Sequence, residues 1–225
     1  MISEKQRAAE AAVEYVKDGM IVGLGTGSTT EFAVKKLGEM VREGLAIRGI
    51  PTSDVTKKLA EDEGIPLMDF YETMYIDLTI DGADEIDTDL NMIKGGGAAL
   101  LREKIVASAS REEIIIVSGQ KYVKQLGEFP LPVEVIPFGW QVIFNQLETL
   151  GGSPDLRLQQ GQPLRTDQGN FIIDCRFRHI IDAAQLEQRL NMLPGVVENG
   201  LFIGLCSRMI LADGEKIVVR ERKKR

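Results

Sequence analysis

Lys94 and Glu103 stand on either side of three successive glycines, Gly95-Gly96-Gly97, and that combination has chemical uses. A carboxylate can take a proton in a transition state, and an ammonium group can hold negative charge as it develops. Glycines permit backbone conformations and close approaches that side chains forbid, at an entropic cost. Helix formers follow at once, from Ala98 through Leu101, Arg102, Glu103 and Lys104, so the sequence predicts a helix over 98–110. Its start would offer unpaired N–H groups and a partial positive charge beside Lys94. Glu103 then falls about six residues in, roughly 9 Å along the axis at ~1.5 Å per residue. A glycine-rich turn beside a solvated Glu-Lys face has the same composition, so this stretch alone leaves both open.

Two further stretches carry suitable groups. Tyr75 to Ile80 reads as a strand running into Asp81-Gly82-Ala83-Asp84, which puts two carboxylates on a tight turn at a strand's carboxyl end. Ligands bind at that edge in open α/β sheets. Two carboxylates held close would raise the pKa of one, which suits proton shuttling. The other stretch is Thr26-Gly27-Ser28-Thr29, between a buried strand (20–24) and an amphipathic helix reaching Arg42. Strand, Gly/Ser/Thr turn and helix together receive phosphate on backbone N–H groups and hydroxyls. The nucleotide P-loop is excluded because no Gly-Lys-Ser/Thr closes the turn, and the dinucleotide fingerprint because its third glycine is missing. A small phosphorylated ligand fits this turn; a bare N-cap turn is the alternative. Asp87-x-Asp89-x-Asn91 imitates the opening of a calcium loop, but Met92 replaces its glycine and Ala98 its closing glutamate. No metal is expected. Lys121 adds a cation just beyond a strand at 113–117.

The elements that must position these groups alternate. Residues 3–17 have helical spacing with a weak Ser3/Gln6 capping box. Strands follow at 47–51, 65–68 and 75–80, with a helix from Ser53/Asp54 to Glu63. The alternation defines an α/β, doubly wound Rossmann-like domain. After Phe129-Pro130-Leu131-Pro132 the character changes to strand (133–136), helix (140–150), strand (155–159), strand (171–177), helix (182–190) and strand (196–203). That is the βαββαβ pattern of an inserted α+β ferredoxin-like domain. The last elements, 209–212 and 216–220 about Asp213-Gly214, read as a hairpin with a type I′ turn. The expected division is residues 1–128 plus 205–225 against 129–204.

Composition bounds the rest. The 225 residues are 44% hydrophobic and 27% charged, with net charge −7, as for a soluble globular protein. The acidity argues against broad nucleic-acid binding, although Arg220 to Arg225 form a basic tail. No apolar run is long enough for a membrane span, and the polar start points to a cytoplasmic protein. Cys175 and Cys206 lack metal or redox spacing and read as buried thiols. His179 is the single histidine, so carboxylates and lysines are the expected chemical groups.

The segments GLGTGST (23–29), DGADEID (81–87), KGGGAALLREKIV (94–106) and FPLPVEVIPF (129–138) together resemble the type A ribose-5-phosphate isomerases, in the same order along essentially the whole chain. The resemblance implies an aldose–ketose isomerase interconverting D-ribose 5-phosphate and D-ribulose 5-phosphate in the pentose phosphate pathway, without metal, nucleotide or other cofactor. It implies Glu103 as general base, with Thr26, Gly27, Ser28 and Thr29 on the substrate's phosphate end. Asp81, Gly82, Ala83, Asp84, Lys94, Gly95, Gly96, Gly97 and Lys121 would line the sugar. It also implies homodimers or homotetramers. Lys5 falls near a family lysine, but its surroundings differ and it stays outside this set.

The chemistry required agrees. Isomerisation needs a base for the proton α to a carbonyl, an acid for oxygen and positive charge for the enediolate. Glu103, Asp81 or Asp84, and Lys94 with the helix N-terminus can fill those roles. Ring opening comes first and is assigned to Asp81. Other classes fit less well: a sugar-phosphate-sensing regulator would need a DNA-binding module, and a hexosamine deaminase would need a catalytic histidine.

Overall fold

The computed structural model describes residues 3–222; Lys223, Lys224 and Arg225 of the basic tail lie outside them. The chain divides into two compact units. The first holds residues up to Ala83, Arg102–Tyr122 and the segment from Gly204; the second holds Asp84–Leu101 and Val123–Ile203. Residues 84–101 and 123–128, which the expected division placed with the Rossmann-like part, belong to the second unit.

The first unit is built on a six-stranded sheet in the order Lys216–Glu221, Arg208–Asp213, Ser110–Ser118, Ile76–Gly82, Ile21–Leu24, Arg48–Pro51. All neighbours are parallel except the outermost pair, Arg208–Asp213 with Lys216–Glu221. Numbered along the chain, the parallel strands run 2-1-3-4-5, the flavodoxin-like doubly wound order. Its strands are near-continuous Ile, Val and Leu because both faces are covered. Val22, Leu24, Leu78, Ile80, Ile114 and Ile116 share one core with Ala8, Ala9 and Ala12 of helix Glu4–Val13 and with Ala33, Val34 and Leu37 of helix Thr30–Arg42. Ile21, Ile50, Met68 and Ile76 point the other way and pack with Val106. Each fully buried Ile or Leu contributes about 1.5–3 kcal/mol.

Helix starts follow their caps. Ser3 Oγ accepts from Gln6 N at 3.2 Å, and Ser53 Oγ from Thr56 N at 3.1 Å. The expected strand at 65–68 is reduced to a single bridge between Leu67 and Gly49. The hairpin turn is also not type I′. Asp213 pairs with Lys216, so the loop is Gly214-Glu215, and of these Gly214 alone has positive φ (+56°), where type I′ demands two such residues.

The second unit contains a four-stranded antiparallel sheet in the order Val196–Asn199, Leu131–Val135, Phe171–Arg176, Ser153–Leu156. With helices Trp140–Thr149 and Ala183–Asn191 it gives the ferredoxin-like βαββαβ arrangement. Two strands differ from expectation. The one at 155–159 breaks at Arg157, after which Leu158–Gln159 pairs with Gln162–Pro163. The one at 196–203 breaks at Gly200, so that Leu201–Phe202 joins Met92–Ile93 and Glu85–Ile86 in a separate three-stranded sheet.

Candidate active site

In the first unit the strand order reverses between Ile21–Leu24 and Ile76–Gly82, and the carboxyl ends of these two strands carry the Thr26–Thr29 turn and Asp81. That is the switch point where open α/β sheets bind ligands. Asp81 lies within the strand, which runs on to Gly82, rather than on a tight turn; its side chain is fully buried. Asp81 Oδ1 accepts from Gly82 N at 2.7 Å and Thr26 N at 3.2 Å. Gly25 lets the strands come this close, since a Cβ there would lie 2.3 Å from Asp81 Oδ1.

The turn itself divides by role. Thr26 Oγ1 belongs to a hydroxyl cluster with Thr52 (2.7 Å), Ser53 (2.7 Å) and Thr56 (3.0 Å), so its side chain braces the next helix start. Gly27 and Ser28 are exposed, and Lys5 Nζ donates to Ser28 Oγ at 2.8 Å. Lys5 therefore joins the Thr26–Thr29 turn, although its sequence context gave no such signal. Helix Thr30–Arg42 begins here, with its positive dipole end at the turn. Lys121 Nζ donates to the carbonyl of Ala83 at 2.6 Å.

Glu103 is buried, 4% exposed. The helix begins at Leu100, two residues later than expected, because Ala98 adopts φ +60° and donates from its N–H to Gly95 O at 3.0 Å. Helix propensity loses here to closure of the glycine turn. Glu103 thus sits in the helix's first turn, about 4.5 Å along at ~1.5 Å per residue. There the helix dipole favours a negative charge.

In the second unit Asp84 Oδ2 accepts from Gly96 N at 2.7 Å, tying the carboxylate to the glycine loop. Gly96 leaves room for this, since a Cβ would meet Asp84 Oδ1 at 2.7 Å. Lys94 is 2% exposed; its N–H donates to Gly200 O at 2.9 Å, and its Nζ stands 5.5 Å from the Phe202 ring centroid. Gly96 and Gly97 are exposed, while Gly95 is buried with φ +104°. Arg157 Nη1 donates to the carbonyls of Gly95 (2.9 Å) and Gly96 (3.1 Å), a contact that sequence patterning did not reveal. Asp87 accepts from Asp89 N (2.9 Å) and Asn91 N (2.8 Å) and organises its own turn. Burial pushes the Asp87 carboxyl up, against those two hydrogen bonds.

Among the described residues no three His, Cys, Asp or Glu side chains are grouped to hold a metal ion, and no helix is long and apolar enough to cross a membrane. Cys175 and Cys206 are buried free thiols; burial pushes Cys175 up to about 12 and Cys206 higher still. A cleft of about 450 Å³ in the first unit, lined by Ile50, Met68, Phe70, Arg102, Ile105 and Val106 among others, includes none of the expected site residues.

A doubly wound sheet with a Ser/Thr turn and a buried carboxylate at its switch point is the architecture of α/β enzymes for small ligands. The family described as ribose 5-phosphate isomerase A (phosphoriboisomerase A) matches residues 48–216. A ribose-5-phosphate isomerase A from Gloeobacter violaceus is 57% identical over 211 residues, covering 93% of this chain and 92% of the relative. The solved ribose 5-phosphate isomerase from Plasmodium falciparum superposes with a TM-score of 0.95 at 35% identity, over the full length of both chains. A D-ribose-5-phosphate isomerase solved in complex with phospho-erythronic acid superposes with a TM-score of 0.95 at 41% identity, covering 97% of this chain and 98% of the other. The chain belongs to the ribose 5-phosphate isomerase A family and is, by that membership, an isomerase.

Proposed function

We propose that this isomerase interconverts D-ribose 5-phosphate and D-ribulose 5-phosphate through an enediolate, with Glu103 as the general base. The observation that carries the proposal is the burial of three ionisable side chains, Asp81, Lys94 and Glu103, at 0%, 2% and 4% exposure on segments within the family match. Burying charge is costly, and sites that must hold fixed charges in low dielectric are where it is found. The names of the relatives supply the substrate. The solved complex with phospho-erythronic acid, a phosphorylated sugar acid, supports an acidic group on a polyol chain as a ligand type for this architecture.

In this mechanism Asp81 assists opening of the sugar ring. Glu103 removes the proton from C2 of the aldose, leaving an enediolate, and returns a proton to C1. Asp81 or Asp84 moves the proton between the two oxygens. Lys94, with the N–H groups that open the helix from Leu100, holds the enediolate charge. Thr26, Gly27, Ser28 and Thr29 hold the phosphate, remote from the reacting carbons, so its binding energy positions the open chain. Gly82, Ala83, Gly95, Gly96, Gly97 and Lys121 complete the sugar's surroundings. No metal or cofactor takes part, and the active species is a cytoplasmic homodimer or homotetramer in the pentose phosphate pathway.

A coupled ribose 5-phosphate assay on purified, metal-stripped protein tests the activity. Glu103→Gln is expected to lower kcat by about 10²–10⁴-fold with little change in sugar-phosphate binding. Near-normal turnover would remove Glu103 from its role. Exhaustive chelation should leave the rate unchanged, and restoration by a divalent ion would overturn the metal-free mechanism.

A further inference from the structure

We propose that Arg157 is a positioning residue for the isomerisation: by holding the carbonyls of Gly95 and Gly96 it fixes the Gly97 N–H as a donor to a substrate oxygen. This rests on the isomerase reading and extends it to a residue outside the glycine segment.

Arg157 sits at the break between strands Ser153–Leu156 and Leu158–Gln159. Its backbone is fixed on both sides: its N–H donates to Ile172 O at 2.9 Å, and its carbonyl accepts from Leu164 N at 2.9 Å. The guanidinium is fixed as well. Nε donates to Asp174 Oδ2 at 2.7 Å and Nη2 to Asp174 Oδ1 at 2.5 Å, a bidentate pair from the same strand as Ile172. With the fork so held, Nη1 faces the glycine loop and donates to both carbonyls.

A trans peptide is planar, with its C=O and N–H on opposite sides. Turning the Gly95 carbonyl to Arg157 sends the Gly96 N–H the other way, where it donates to Asp84 Oδ2 at 2.7 Å. The same rule applied to the next plane sends the Gly97 N–H away from the guanidinium, at the exposed part of the loop. Three glycines cannot hold two peptide planes by themselves, because each has access to both signs of φ. Asp174 neutralises the guanidinium, so its effect on the loop is orientation rather than added charge. Lysine cannot replace it, since one ammonium cannot hold the carboxylate fork and two carbonyls together.

The test compares wild type, Arg157→Ala, Arg157→Lys and Asp174→Asn in ribose 5-phosphate turnover, with thermal melting as the folding control. Arg157→Ala and Arg157→Lys should each lose about 10- to 100-fold in kcat with a smaller change in KM. Asp174→Asn should fall in the same direction by less. Added guanidinium, below the concentration that shifts the melting curve, should restore part of the rate of Arg157→Ala and none of Arg157→Lys. A kcat for Arg157→Ala within about twofold of wild type overturns the proposal, as does a loss that guanidinium does not relieve. Should Arg157→Ala fail to fold, Arg157→Lys carries the comparison. If wild type itself does not turn over ribose 5-phosphate, the isomerase reading has failed instead. The orienting role is then read from the amide resonances of Gly96 and Gly97, which must shift or broaden in Arg157→Lys without substrate; unchanged resonances overturn it.

Discussion

Gly25 has no room for a methyl group. A Cβ there would stand 2.3 Å from Asp81 Oδ1 and 2.6 Å from Asp81 Cα, and the backbone atom cannot swing aside as a flexible side-chain end could. The residue therefore lets Asp81 sit fully buried at the end of its strand while accepting from Thr26 N. Gly25→Ala should force the two strands apart at the switch point, costing about 1–3 kcal/mol in urea unfolding. It should also lower kcat, because Asp81 moves with its strand. A stability within about 0.5 kcal/mol of wild type would show that the strand ends separate without strain. Lys5 makes the complementary point: its ammonium reaches Ser28 across 23 positions of sequence, and no local pattern encodes such a contact.

At the scale of elements, Glu85 shows how a short strand ties down a loop. This buried carboxylate in Glu85–Ile86 accepts from Gly127 N at 2.7 Å through Oε2 and from Phe129 N at 2.5 Å through Oε1. Glu85→Ala leaves both donors without that acceptor, whereas Glu85→Gln keeps one oxygen. A buried orphaned group costs about 1–3 kcal/mol, so the alanine variant should lose roughly twice the unfolding free energy of the glutamine variant. Equal losses would mean that water replaces the carboxylate. The same scale explains what the sequence made legible. The parallel strands and the four-stranded sheet followed from Ile/Val runs, turn residues and helical spacing, all local signals. The breaks at Arg157 and Gly200 did not, since they come from partners far along the chain. Gly200 accepts from Lys94 N, and a Cβ on it would lie 2.4 Å from Lys94 O. Ala98 misled for a related reason: its helix propensity is an average, while the glycine turn needs a left-handed residue there. Of the candidate site, the placement of Thr26–Thr29 and Asp81 near strand ends could be read, but not the hydroxyl cluster around Thr26 or the Arg157–Asp174 fork.

For the whole molecule, the pH dependence of stability includes a group with no part in catalysis. Glu134 is fully buried; its Oε1 accepts from Thr166 Oγ1 at 2.8 Å and Asn170 Nδ2 at 2.9 Å, while Oε2 has no hydrogen bond among the described residues. Burial pushes its carboxyl above the ordinary value of 4.5. The bonds from Asn170 and Thr166 oppose that shift, and the charges of Glu198 and Asp167 reinforce it. A pKa raised on folding gives a contribution that is complete below the unfolded value and is lost as pH rises through the folded one. At pH values above the ordinary one, Glu134 therefore weighs against the fold. Glu134→Gln keeps an acceptor for Thr166 and Asn170, removes the charge and offers an N–H₂ where Glu198 and Asp167 supply negative potential. The variant should melt higher than wild type near pH 7, and the gap should close as pH falls below the ordinary glutamate value of 4.5, where Glu134 is protonated in folded and unfolded chains alike. Melting curves at the two pH values decide it. A gap that persists in acid would trace the gain to packing, and a variant that melts lower near pH 7 would show the ionised carboxylate to be stabilised where it is buried.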